Sequence, residues 1–188
     1  MEEFRLLYEI RWHGRGGQGV VTASRLLAEA AMSEGKHVQA FPEFGPERTG
    51  APIRGFTRIS DKKIRVHSQI YEPNMVVVLD PTLLESINVA DGLIKEGKMI
   101  VNTDLSPSDL EKKLGLKNIK TYTIDATKIA LDVLGRPITN TAMLGAVVKV
   151  ESLTSLSSIC ESVSQRFPGT IGEKNVRAIK KAHEEVIE

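Results

Sequence analysis

Cysteine is almost absent from this 188-residue chain, where Cys160 stands alone. One thiol cannot make an intrachain disulfide, and it cannot supply the set of thiolates that an iron–sulfur cluster takes. An excess of charge is missing too. Lys plus Arg number 25 against 24 for Asp plus Glu, a formal net charge of +1, so neither a nucleic-acid field nor a charged tail is present. No run of about 18 apolar residues is available to span a bilayer. Met1-Glu2-Glu3 lacks the basic start and apolar stretch of a signal peptide, so a cytoplasmic protein is expected. His13, His37, His67 and His183 are scattered without metal-ligand spacing, and no metal is expected in this chain. Internal repeats and low-complexity linkers are also missing. The length suits one α/β domain, residues 1–188, with a substantial core.

Glycine, by contrast, is concentrated where it matters. Gly14-Arg15-Gly16-Gly17-Gln18-Gly19 follows a strand-like run, Phe4 to Trp12, and opens a segment, Val20 to Ala31, with apolar residues at helical spacing. Gly14, Gly16 and Gly19 satisfy the G-x-G-x-x-G spacing, which allows a tight turn and lets a phosphate approach the backbone at a helix N-terminus. Arg15 and Gln18 add a cation and an amide. Glycines at such a turn also serve packing without any ligand, and both readings stand at this point. A nicotinamide site would need an acidic residue about 20 positions on. Glu34 and Glu43 are the candidates, and neither sits well: one lies in a helix-ending turn, the other beyond Pro42.

Val38 to Phe41 reads as a short strand, and Ile53–Ile59 with Ile64–Ile70 as an inserted β-hairpin. Met75 to Leu79 is β-branched and unbroken, as for a central strand buried on both faces. Met99–Asn102 and Tyr122–Asp125 repeat a strand ending in a polar residue, with helix-like segments at Thr82–Val89 and Ser108–Leu114 between them. Helical patterns follow at Thr127–Leu134, Thr141–Lys149, Ser155–Phe167 and Glu173–Ile187. The expected fold is α/β: a single three-layer domain, with a Rossmann-like, largely parallel sheet and a helical C-terminal part. The glycine turn, the segment after Phe41, Asp80 and Asn102 should share the rim at the strands' carboxyl ends. Cys160 is expected in the core of a helix, and His13 as a structural histidine at a strand end.

A second motif, Phe41 to Pro52, crowds three prolines, two glycines, Glu43, Glu47 and Arg48 between strands. Proline and glycine shape the loop, and Glu47-Arg48 offers a charged pair to a ligand or partner; a solvated crossover loop is the alternative. Asn140-Thr141 begins a helix, and either residue can serve as its N-cap. Gly145 in that helix admits a close neighbour.

Trp12 to Val20, Phe41 to Pro52, Val76 to Asp80 and Asn140 to Ala146 together resemble the gamma subunit of 2-oxoacid:ferredoxin oxidoreductases, with the pyruvate enzyme nearest and the 2-oxoisovalerate enzyme close to it. The resemblance runs from Arg11 to about Phe167. It implies a multisubunit enzyme that converts a 2-oxoacid and coenzyme A to acyl-CoA and CO2 while reducing ferredoxin, using thiamine diphosphate, Mg2+ and iron–sulfur clusters. The Gly-Asp-Gly start of the family's thiamine site is missing, since Asp91-Gly92 has no leading glycine. The resemblance therefore implies no catalytic residue here, the cofactors being held by alpha, beta and delta-type partners. Gly14 to Gly19 would meet a phosphate of coenzyme A or a partner carboxylate. Glu43, Glu47, Arg48, Asn140 and Thr141 would face a partner or ligand. A stand-alone NAD(P)-dependent oxidoreductase and a pure assembly scaffold are the competing readings.

Overall fold

A computed structural model describes residues 7–43 and 49–188. Six strands form one sheet in the order β2-β3-β1-β4-β5-β6. They are β1 (Tyr8–Arg15), β2 (His37–Pro42), β3 (Pro52–Ser60), β4 (Met75–Val78), β5 (Lys98–Asn102) and β6 (Lys120–Ile124). β1, β4, β5 and β6 run parallel to one another. β3 alone runs against the rest, antiparallel to both β1 and β2.

Six helices complete the domain: α1 (Val20–Ser33), α2 (Pro107–Leu114), α3 (Ala126–Leu134), α4 (Asn140–Val150), α5 (Leu156–Arg166) and α6 (Thr170–Glu185). Their starts follow local chemistry. Ser106 caps α2, Asp125 caps α3 and Ser155 caps α5, each side chain accepting a first-turn amide. β4 is buried throughout, and its alternate residues feed two cores. Met75 and Val77 join α1, α3, α4, α5 and α6 on the larger face, while Val76 and Val78 meet Leu83, Val89 and Leu110 on the smaller. The expected three-layer domain is present, with unequal layers.

α4 is the hub of the larger face. Nine of its residues are buried, from Asn140 to Val148, a helix apolar all round as interior helices are. Gly145 brings α6 against it: a Cβ there would overlap the Ile179 carbonyl oxygen and lie 2.9 Å from its carbon. Trp12, fully buried, packs under α1 and donates Nε1–H to Thr57 Oγ1 at 3.0 Å.

Two expected elements differ. Ile64–Ile70 forms no strand, so the antiparallel pair of the insertion is β2 with β3. The 61–74 segment instead crosses a polar stretch of the sheet, where the Val66 carbonyl accepts from Gln39 and the Gln69 carbonyl from Arg58. Arg58 is a buried cation fully engaged by Glu9, Gln39 and Gln69, with its guanidinium 5.4 Å from the Phe41 ring centroid. Thr82–Val89 is also not a full helix. A single 3₁₀ turn, Pro81–Glu85, is capped by Asp80, after which Arg11 draws the Val89 and Asp91 carbonyls toward itself.

Candidate functional site at the glycine turn

β1 runs through Gly14 and Arg15, so the turn proper is Gly16 to Gly19. Gly16 is bridged to the far side of the 43–52 loop: its N–H donates to Ala51 O at 2.9 Å and its carbonyl accepts from Gly50 N at 3.0 Å. Gly17 and Gly19 adopt φ of 94° and 79°, the left-handed region that side chains resist. Gly19 then caps α1 without any side-chain bond. The first ladder bond of α1 runs from Ala23 N to Gly19 O, which leaves the amides of Val20, Val21 and Thr22 without partners inside the helix. These amides carry the positive end of the helix dipole.

Val20 is fully buried, while Val21 and Thr22 are partly exposed on a groove. A cavity of about 440 Å³ is lined by Gly16, Gly17, Gly19, Val20 and Thr22. A second of about 490 Å³ shares Gly17, Gly19 and Thr22 with it and extends to Arg136, Arg166 and Lys174. Three cations from the α3–α4 connection, α5 and α6 thus line one cavity with Gly17, Gly19 and Thr22 at the uncapped helix N-terminus. Sequence reasoning missed all three, because they lie more than 100 residues from the turn and share no motif with it.

Arg15 and Gln18 are less open than their positions in the motif imply. Arg15 Nε lies 3.3 Å from Asp80 Oδ2, and its guanidinium also donates to Gly50 O at 3.1 Å and Thr82 Oγ1 at 2.9 Å. Gln18 donates to Asp80 Oδ2 at 2.7 Å while accepting from Arg15 N at 2.8 Å. Asp80 is buried, which alone would raise its pKa. Hydrogen bonds from Thr82 and Gln18 and the charge of Arg15 outweigh that and hold the carboxyl below its ordinary value. The rim expected at Asp80 exists, but as an internal strut that sets the turn. Asn102 works likewise, donating to Leu79 O and Thr127 Oγ1 and accepting from Thr127 N.

Asn140 and Thr141 sit at the start of α4, as expected, with Asn140 beside Gly19 of the turn. The capping position belongs to Thr139, one residue earlier than expected, and no side chain caps it there. Asn140 at the first helical position accepts from Thr141 N at 2.9 Å. Its side chain fills the space beside Gly19, so that a Cβ on Gly19 would overlap it. Gly14 is closed in the same way by Val20 and Gln18. Thr141 is buried and donates to Asn175 Oδ1 at 2.8 Å, tying α4 to α6. Glu43 is apart from the groove and holds Arg54 in a two-pronged ion pair. Glu47 and Arg48 lie outside the described residues.

The sheet order argues against nicotinamide binding. In such sites the ribose-binding acid ends a strand beside the first, whereas here β3 separates β2 from β1 by two strand spacings, about 9–10 Å. Glu43, after β2, is moreover committed to Arg54. Among the described residues no group of three or more His, Cys, Asp or Glu is placed to hold a metal, and no helix is long and apolar enough to cross a membrane.

Residues 9–185 match the family model described as pyruvate ferredoxin/flavodoxin oxidoreductase. The chain is 56% identical over 178 residues to the pyruvate/ketoisovalerate oxidoreductases common subunit gamma of Pyrococcus furiosus, covering 95% of this chain and 96% of that one. It is 53% identical over 181 residues to the pyruvate synthase subunit PorC of Methanocaldococcus jannaschii, covering 96% and 98%. The crystal structure of pyruvate oxidoreductase subunit PORC from Thermotoga maritima superposes with a TM-score of 0.86 at 43% identity, over 97% of this chain and 98% of that one. Identity, coverage and fold agree, and the chain belongs to the pyruvate ferredoxin/flavodoxin oxidoreductase family as a gamma-type subunit of a multisubunit 2-oxoacid:ferredoxin oxidoreductase.

Proposed function

We propose that this chain serves a pyruvate:ferredoxin oxidoreductase as the subunit that receives the anionic end of coenzyme A in the groove at the α1 N-terminus. The carrying observation is the facing of uncapped amides and left-handed glycines by Arg136, Arg166 and Lys174 across connected cavities. A diphosphate accepts hydrogen bonds only, so backbone N–H groups and cations suit it together. Arg15 acts through position: with Gln18 and Asp80 it holds the turn in the shape that leaves Val21 and Thr22 at the groove.

The residues of this chain fit neither the thiamine nor the cluster chemistry of the complex. Asp91-Gly92 is consumed structurally, the Asp91 carbonyl accepting from Arg11 and Gly92 lying against the Tyr71 carbonyl. Cys160 is a lone, half-buried thiol whose pKa is raised by burial. Thiamine diphosphate with Mg2+ and the clusters would be held by alpha, beta and delta-type partners, which pass electrons to ferredoxin. The isolated chain should then be colourless and inert in viologen reduction with pyruvate and coenzyme A.

The test uses the assembled enzyme. Arg136→Ala and Lys174→Ala each remove one charge from the groove. Loss of a charged hydrogen bond worth about 1.5–3 kcal/mol corresponds to a rise of roughly tenfold or more in the coenzyme A concentration for half-maximal rate. Pyruvate dependence should hardly move. Unchanged coenzyme A dependence in both variants overturns the reading; loss of assembly would assign the groove to a partner carboxylate, and no effect of either kind to a scaffold alone.

A further inference from the structure

A third cavity, of about 320 Å³, lies on the other face of β1, where Arg11 and His13 project, alternating with Trp12 on the larger-core side. It is lined by Arg11, His13, Glu43, Arg54, Asn88 and Asp91, among others, and shares only Ile53 with the cavity at the glycine turn. Arg54 is brought there by register, as the partner of His13 across the β1–β3 pairing.

The buried imidazole of His13 sets the chemistry. Arg11 Nε donates to His13 Nε2 at 3.1 Å, so Nε2 carries a lone pair, and in the neutral ring the proton resides on Nδ1. Burial first, and then the charges of Arg11 and Arg54, push its pKa down to about 3, which keeps the ring neutral at physiological pH. His13 is 3% exposed, and its Nδ1 has no hydrogen-bond partner among the described residues. A buried N–H without an acceptor costs about 1–3 kcal/mol, so native proteins rarely leave one.

The two arginines are only partly used. Arg11 spends Nε on His13 and Nη2 on the Val89 and Asp91 carbonyls. Arg54 spends Nε and Nη2 on Glu43. Each keeps Nη1 without a hydrogen bond to a described residue. Glu43 and Asp91 roughly balance the two positive charges, so what the cavity has in surplus is N–H donors. From this juxtaposition of a buried unpartnered imidazole N–H with two half-used guanidiniums in one cavity, we infer that the His13–Arg11–Arg54 pocket is a carboxylate-binding site distinct from the groove. A carboxylate offers acceptors alone, and two oxygens can serve the imidazole and a guanidinium at once. It comes either from a small carboxylic acid in solution or from an Asp or Glu of a partner subunit.

Both sources are separated by one measurement. The full chain is labelled with 15N-histidine, the His13 signals are assigned with His13→Asn, and acetate is titrated at constant ionic strength. The Nδ1 resonance of His13 should shift saturably, and Arg54→Gln should weaken acetate at least fivefold. The same label is then read in the assembled enzyme by solid-state methods. If Nδ1 already has its acetate-bound shift there and added acetate changes nothing, the carboxylate is the partner's. If it responds to acetate as the free chain does, the ligand is a small acid. Absence of a saturable response in the free chain, with an identical Nδ1 shift in the complex, means that water alone fills the cavity and overturns the proposal.

Discussion

Gly19→Ala puts the architecture of the turn to a quantitative test. Gly19 has φ 79° and ψ 27°, a conformation that costs an alanine about 1–2 kcal/mol. The new Cβ would also overlap Asn140, lying 3.0 Å from its Cγ and 3.3 Å from its Cβ. Swinging Asn140 aside breaks its bond to Thr141 N and finds little room, because the residue is only 6% exposed. Overpacking of this kind costs about 1–3 kcal/mol. Against both stands a gain of about 0.4–1 kcal/mol from the stiffer unfolded chain. The net loss should be about 3 kcal/mol, or roughly 6–12 °C in Tm for a domain of this size. Urea unfolding of the isolated chain measures it. In an Asn140→Ala background the overlap with Nδ2 and Cγ is gone and only the 3.3 Å approach to Cβ remains beside the backbone part, so Gly19→Ala should there cost about 1 kcal/mol, a coupling of about 2 kcal/mol. A loss under about 0.5 kcal/mol, equal in both backgrounds, would refute the packing of the turn on α4.

Two further outcomes rest on other parts of the fold. Gly145→Ala should destabilise by about 1–3 kcal/mol despite the better helix propensity of alanine, because the obstacle is the Ile179 backbone and not a movable side-chain tip; a stabilised variant in the same unfolding assay would mean that α6 does not dock this closely. Glu34 should titrate near pH 2: burial raises its pKa, but hydrogen bonds from Ser158, Ser155 and Thr154 at the start of α5 outweigh that. A depressed folded-state value stabilises the native chain above the ordinary 4.5 and loses that contribution as pH falls from about 4.5 toward 2. Glu34→Gln should therefore lower stability at neutral pH and converge with the parent below pH 2, and a carboxyl resonance titrating at 4.5 would contradict the contact.

The helices were legible because their signals are local. Ser155 announces a start, Ser106 and Asp125 cap helices expected two residues later, and apolar spacing carries α1, α3 and α4 to within a few residues of their ends. β4 was legible for the same reason, as an unbroken β-branched run. Ile64–Ile70 misled because alternation describes one face of a strand without saying what that face meets. Arg58 and Gln39, distant in sequence, claim its carbonyls for side-chain donors, and carbonyls so used do not serve a ladder. Arg11 unwinds the segment after Glu85 in the same manner, by taking the Val89 and Asp91 carbonyls. In both places a buried arginine from a neighbouring strand overrides the local pattern.

The site divides along the same line. Gly17 and Gly19 are backbone facts, and a backbone requirement for left-handed φ is written directly in residue type. Arg15 and Gln18 are side-chain facts, and their direction depends on Asp80, which arrives from β4 more than 60 residues later. A motif thus marks where α1 begins beside the groove, while the charges that line the adjoining cavity are chosen by tertiary packing. Arg136, Arg166 and Lys174 reach the turn only because α4 stands against Gly19 and α6 against Gly145. Asn140 fits the space Gly19 leaves, Thr141 holds Asn175, and Asn175 follows Lys174 in α6. The two glycines far apart in sequence therefore bear on one groove: substituting either should shift α4 or α6, and with them Lys174 on α6 and the connection that carries Arg136. Gly19 and Gly145 should accordingly affect the anion binding proposed for the groove through position, with losses that track the displacement of α4 and α6 and not the removal of any contact to the ligand itself.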